Sequence, residues 1–372
     1  QSVEVATVQG FNDITVIAAN ENDGLENSVS IFTGLDVPAP LAEIRQSHSE
    51  DYKSLHLEWD APTAGYNGGY VDPAGVTYSL YFYDEENYEW KFAEELGAAT
   101  QYDFVPEAVD GLAVAGGAIL SSNDQGNSGI VLTFEGAVGT PYSLPMIEDF
   151  NNEETYGPLY GPCALERPDE SYTAEWGFIQ QTYPYWVSLP TPYGAGAFCA
   201  FGENGQKSRM TLPVFSTVGV EGAAIEIPVW CGPDAAAIDV YAEAYGMEPE
   251  LIGSFSDPSE SAWRKRRFHL PEKFLGRQWV AIKIDAVFNE GNTVAAFADY
   301  RIKTFLPEDV ALMEIAAPVY AAVGDEVAVT TLVENSGTEA VALPAINLDK
   351  CPRHSPLDKV DISLQLLVVE QN

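Results

Sequence analysis

The chain has 372 residues, enough at about 150 per domain for two or three domains with hydrophobic cores of their own. Eighteen Lys+Arg against 56 Asp+Glu give a formal net charge of −38, which sets nucleic acid, phosphate-rich surfaces and anionic lipid against long-range repulsion and leaves cations welcome. Hydrophobic residues at 46% are too many for a disordered chain, and 31 Gly, 24 Pro and no apolar run near 18 residues leave no candidate transmembrane segment and imply many short elements.

From the N-terminus, residues 17–19, the polar run Asn20-Glu21-Asn22-Asp23-Gly24 and residues 28–34 read as strand, turn, strand. The order returns at Ile119-Leu120-Ser121-Ser122-Asn123-Asp124-Gln125-Gly126 and residues 129–136, an internal echo that predicts two related hairpins. The Asn-Asp-Gly turn lacks the D-x-[DN]-x-[DN]-G-x5-E spacing of a calcium loop and is read as turn chemistry. Period-two alternation recurs at Leu55, Leu57, Trp59; Tyr78, Leu80, Phe82; Ile225, Ile227, Val229; Ile238, Val240, Ala242; Val280, Ile282, Ile284; and Val327, Val329, Thr331, Val333. These are half-buried strands. No window of 12 residues carries a helical stripe free of Gly and Pro, so the expected fold class is all-β, as tandem β-sandwiches. Proline clusters at Pro38 and Pro40, at Pro141 and Pro145, and at Pro307 divide the chain into residues 1–36, 37–140, 141–305 and 306–372.

Residues 37–140 carry Trp59 followed by Pro62, then Tyr78-Ser79-Leu80-Tyr81 and the closing hairpin; this resembles a fibronectin type III module, and 1–36 look like the last strands of a preceding copy, which implies a protein extending further N-terminally. Between 141 and 305 the landmarks are Pro145-Met146-Ile147-Glu148-Asp149-Phe150, Trp176, Gly194-Ala195-Gly196-Ala197-Phe198-Cys199-Ala200-Phe201, Ser208-Arg209-Met210-Thr211-Leu212-Pro213, Trp263 before Phe268-His269-Leu270, and Phe297-Ala298-Asp299-Tyr300-Arg301-Ile302. In that order they resemble the MAM-like jelly rolls of choice-of-anchor J and cleaved-adhesin domains of bacterial surface proteins. The segment from 306, with Val323-Gly324-Asp325-Glu326 and Val333-Glu334-Asn335-Ser336-Gly337, resembles the start of a CARDB-type immunoglobulin-like module and departs from it after Lys350.

The jelly-roll resemblance implies a structural calcium ion on Glu148, Asp149 and Asp299, where first and last strands adjoin and a hard cation would relieve carboxylate repulsion. Against it, such carboxylates are what a chain with 56 acids provides by chance, and Tyr300 stands where the family has a second acid. Trp176, Tyr183, Tyr185, Trp186 and Tyr193 lie among Pro and Gly and form a candidate glycan-binding set of aromatic rings, the alternative being core packing. Arg264-Lys265-Arg266-Arg267 reverses the local charge, either for an acidic partner or to pair with the chain's own carboxylates.

Four cysteines (Cys163, Cys199, Cys231, Cys351) without a C-x-x-C pair argue against thiolate metal sites and leave the disulfide state open. Four histidines and no G-x-S-x-G, H-E-x-x-H or phosphate loop offer no catalytic constellation. The expectation is a non-catalytic extracellular or cell-surface adhesion protein that binds glycans or surface proteins through jelly-roll loops. The alternative is a carbohydrate-active enzyme or its accessory region.

Overall fold

The computed structural model describes residues 4–19, 24–107, 111–151, 158–180, 196–232, 236–256, 263–288, 293–306, 308–316, 327–335 and 362–369. Among them the regular elements are β-strands and two short 3-10 turns, Pro73–Gly75 and Glu272–Phe274, so the all-β class expected from the alternation is observed. Contacts divide the chain into two compact units, Gln1–Pro141 and Tyr142–Asn372.

The first unit opens with β1 (Gly10–Ala19) and β2 (Gly24–Thr33), an antiparallel ribbon forming a sheet of its own. Its register pairs Ile14 with Val29 and Ala18 with Leu25, which gathers Ile14, Val16, Ala18, Leu25, Val29 and Ile31 on one face and Asp13, Thr15, Glu26, Ser28 and Ser30 on the other. Then come β3 (Arg45–His48), β4 (Leu55–Glu58), β5 (Thr77–Asp84), β6 (Glu89–Gly97), β7 (Gln101–Phe104), β8 (Leu112–Asn123), β9 (Gly126–Asn127) and β10 (Leu132–Gly139). They form two sheets, β3-β4-β7 and β10-β8-β5-β6 with β9 beside β8. Leu55, Leu57, Trp59, Tyr78, Leu80, Ile119 and Phe134 make one core, with Trp59 and Tyr78 edge to face at 5.3 Å. Phe82, next in the alternation, is exposed; the β5–β6 ladder shifts register between Leu80 and Tyr81, and such a bulge re-aims the side chains beyond it.

The second unit holds β11 (Met146–Glu148), β12 (Ala164–Glu166), β13 (Trp176–Gln180), β14 (Gly196–Gly202), β15 (Lys207–Thr211), β16 (Ala223–Cys231), β17 (Ala236–Ala244), β18 (Glu250–Phe255), β19 (Arg264–His269), β20 (Val280–Phe288), β21 (Thr293–Phe297) and β22 (Tyr300–Thr304). One sheet runs β11-β22-β16-β21-β14-β13, with β19 beside β16; the other runs β12-β15-β20-β17-β18. Ile225, Ile227, Val229 and Cys231 of β16 share a core with Ile238, Val240 and Ala242 of β17 and Ile282, Ile284 and Phe288 of β20. Each fully buried aliphatic side chain there contributes roughly 1.5–3 kcal/mol. Because the inward positions alternate, Arg209, Thr211, Tyr241, Glu243, Lys283 and Asp285 turn to the outer face of the second sheet. Beyond the sandwich, β23 (Val310–Ala316) and β24 (Val327–Asn335) pair antiparallel, and β25 (Ile362–Val369) joins β24 in parallel.

Candidate functional site

The outer face of the second sheet is a grid of fixed polar groups. Register sets Arg209 of β15 against Asp285 of β20, and Thr211 against Lys283, which in turn faces Tyr241 of β17. The Arg209 guanidinium donates from Nε to Asp285 Oδ1 at 2.6 Å and from Nη2 to Oδ2 at 2.8 Å, a bidentate fork in which geometry and charge act together. The Tyr172 hydroxyl donates to the same Oδ2 at 2.7 Å. Tyr172 and Tyr241 both lie against the guanidinium, with ring centres 5.3 and 5.0 Å from Cζ. Beside them the Lys283 ammonium bridges Glu166 at 2.8 Å and Glu243 at 2.6 Å, and the Thr211 hydroxyl donates to Glu166 Oε1 at 2.6 Å.

Burial alone would lower the Arg209 pKa, but hydrogen bonding and attraction from Asp285 outweigh it and hold the pKa above its ordinary value. Burial, reinforced by Asp285, pushes the Tyr172 phenol well above its usual range, so Tyr172 stays a donor. Three carboxylates of this face are taken up by two cations, Asp285 by Arg209 and Glu166 and Glu243 by Lys283, while Asp239 accepts from the Ser254 hydroxyl. Tyr241 is half-buried, and Tyr245, just past the end of β17, is exposed. The sequence carries a signal for this site: charged and tyrosyl residues interrupt strands otherwise rich in Ile, Val and Ala.

The residues singled out from sequence fare differently. Trp176 is 4% exposed, packs edge to face on Phe297 at 5.0 Å and donates from Nε1 to the Ser208 carbonyl at 3.1 Å. It is a core residue rather than an exposed ring for a sugar, because its position on β13 faces the opposite sheet. Tyr183, Tyr185, Trp186 and Tyr193 lie outside the described residues.

Glu148 is fully buried; Oε1 accepts from the Phe150 N–H at 2.7 Å and Oε2 from the Tyr160 N–H at 2.8 Å. Burial raises its pKa, those N–H groups oppose the rise, and Asp149 adds to it. Its carboxylate therefore ties residues 150 and 160 to β11, which occupies it as a ligand. Asp149 is exposed, while Asp299 is half-buried with Oδ1 lacking a hydrogen-bond partner. The Asp299 pKa is raised by burial, with Arg301 and Lys265 opposing and Asp149 adding. Among the described residues no group of three or more His, Cys, Asp or Glu side chains is placed to hold a metal ion, so Glu148, Asp149 and Asp299 do not form a three-carboxylate ligand set.

His56 is an outward strand residue, its Nδ1 2.6 Å from Asp103 and its Nε2 3.2 Å from Glu58. Cys163 and Cys199 are free thiols, and burial pushes both up to about 12, far from nucleophilic thiolates; the Cys231 thiol lies 3.8 Å from the Phe255 carbonyl.

No family model matches the chain, and comparison with curated proteins gives no match. Solved structures do resemble it. A carbohydrate-binding module, TmCBM61, in complex with β-1,4-galactotriose matches at 8% identity over 39% of this chain and 89% of that one, with a TM-score of 0.28. The K1 cleaved adhesin domain of Lys-gingipain from Porphyromonas gingivalis W83 matches at 15% identity over 39% and 99%, TM-score 0.27. The enzymatically active domain of tailspike protein 4 of bacteriophage CBA120 matches at 8% identity over 39% and 19%, TM-score 0.26. At these identities none transfers a residue role to this chain.

Proposed function

We propose that the second unit is a non-catalytic binding module, acting outside the cell or at its surface, that holds glycan chains on the outer face of its second sheet. The observation that carries this reading is Tyr241, half-buried on that face and fixed before any ligand arrives by its contact with Arg209, which the buried Tyr172 and Asp285 hold in turn. This moves the binding surface from the loops, where the sequence pointed, to a sheet face. The sheet orders support assigning β3–β10 to a fibronectin type III-like sandwich and β11–β22 to a jelly roll of the cleaved-adhesin kind. Calcium belongs to the same proposal as a structural ion on Asp149 and Asp299, since Glu148 is already occupied.

A glycan array followed by affinity electrophoresis tests the reading. The wild type is expected to be retained by at least one neutral glycan, and Tyr241→Ala to weaken that binding tenfold or more, about 1.4 kcal/mol. Absence of retention by every glycan, or unchanged binding in Tyr241→Ala, would overturn it. Release of reducing ends from the bound glycan would favour the enzyme alternative.

A further inference from the structure

We propose that the first sheet of the second unit carries a separate site for an acidic saccharide, one whose sugar ring bears a carboxylate or a sulfate. Alternation on β16 puts Ile225 and Ile227 in the core between the sheets and Ala224, Glu226 and Pro228 on the other face of the sheet, where they are buried as well. Register then sets Glu226 between Arg267 of β19 and Arg301 of β22, with Lys265 opposite Pro228 and Lys303 opposite Ala224. Glu226, 2% exposed, is shared by three cations: Lys303 at 2.8 Å and Lys265 at 3.2 Å on Oε2, and Arg267 Nε at 3.1 Å on Oε1. Arg301 is exposed beside them. The acids facing this cluster are Glu226 itself, Asp299 beside Lys265 and Arg301, Asp309 near Arg267 and Lys303, and Glu221 across the larger crevice from them. Four cations to four carboxylates cancels locally the acidic excess of a chain of 18 bases and 56 acids.

Two adjoining cavities give the charge a shape. One of about 160 Å³ is bounded by Glu226, Arg267, Lys303 and Phe305; it shares Thr304, Phe305 and Asp309 with a crevice of about 580 Å³ that also touches Leu144, Val220, Glu221 and Leu306. The larger volume is in the range of small-molecule sites, and the smaller takes an anionic substituent with its water. Phe305 stands where they meet, edge to face with His269 at 5.1 Å and lying over Gly222, where a Cβ would come within 2.4 Å of the ring. A rigid ring beside Lys303 and Arg267 matches a pyranose stacked on Phe305 with its anionic group on the two cations. Glu226 is the positioning residue. Burial would raise its pKa, but Lys303, Arg267 and Lys265 bring it down to about 2, so it stays charged and keeps the cations in place. The −38 field penalises dense polyanions, which favours short or sparsely charged saccharides.

The site rests on the glycan reading only for the class of ligand, and its test separates the two. Titration calorimetry of the full chain with digalacturonate, a monosulfated galactose disaccharide and neutral galactobiose is the measurement, with melting curves confirming the fold of each variant. At least one acidic disaccharide is expected to bind tenfold more tightly than the neutral one. Lys303→Ala and Phe305→Ala should each remove most of that preference, while Tyr241→Ala leaves it intact. Lys265→Ala serves as a replacement for whichever variant misfolds. Equal affinity for acidic and neutral disaccharides, or a preference untouched by these variants, would overturn the proposal.

Discussion

Glu148 and Glu226 are both buried carboxylates on strands of one sandwich, yet their surroundings drive them in opposite directions. Glu226 has three cations and a pKa of about 2; Glu148 has backbone N–H donors and a raised pKa. A depressed folded pKa contributes stability that is present above the unfolded value near 4.5 and lost as pH falls towards 2, whereas a raised one contributes fully below 4.5 and is lost as pH rises through the folded value. In unfolding free energy against pH, Glu226→Gln should therefore lie below the wild type at pH 7, by about 2 kcal/mol once the exposure of its lysines is discounted, and converge with it towards pH 2. Glu148→Gln should instead remove part of the wild type's decline above pH 4.5. Parallel curves for both variants would show that neither titration is linked to folding. The sequence marks each acid but not its environment, because Tyr160 and Lys303 arrive from 12 and 77 residues away.

At the scale of strands, what could be read from sequence was parity: Ile225, Ile227 and Val229, or Ile282 and Ile284, are inward as their alternation implied, although β16 and β20 are buried on both faces rather than half-buried. The echo between the two hairpins was legible too, but not its consequence, since Ile17 is 65% exposed on the polar face of β1 while its counterpart Ile119 is 1% exposed. Among the described residues the β1–β2 ribbon pairs with no further strand, so its apolar face is exposed too, with Val16 at 64% and Leu25 at 76%, whereas β8 lies inside a sheet whose core takes up Ile119. Close packing between strands was likewise hidden. At Gly202 on β14 an added Cβ would meet the buried Phe288 ring at 2.1 Å, although the backbone there is ordinary. Gly202→Ala should cost about 1–3 kcal/mol in urea unfolding of the second unit by overpacking. At Gly205, with φ of +83° and no atom within 4 Å of an added Cβ, alanine should cost only the backbone strain, about 1 kcal/mol. A larger loss at Gly205 than at Gly202 would contradict the packing of β14 against β20.

Across the whole molecule the excess of acids shapes every response to ions. Net charge is legible from composition, but where it eases is not, for the basic run of β19 gains meaning only when β16 and β22 bring Glu226, Arg301 and Lys303 beside it. With −38 to screen, any salt should stabilise the fold somewhat by reducing self-repulsion, so a rise in melting temperature on adding calcium is not by itself a sign of a site. A specific ion on Asp149 and Asp299 makes a sharper prediction, because it would pair the buried Asp299 Oδ1 and relieve the repulsion from Asp149. At matched ionic strength calcium should then raise the melting temperature of the second unit beyond magnesium or sodium, chelation should reverse the excess, and Asp299→Asn should abolish it while leaving the general salt effect. Identical curves in calcium and magnesium, with chelator inert, would remove calcium from the proposal and leave Asp299 as a partner of Lys265 and Arg301 alone.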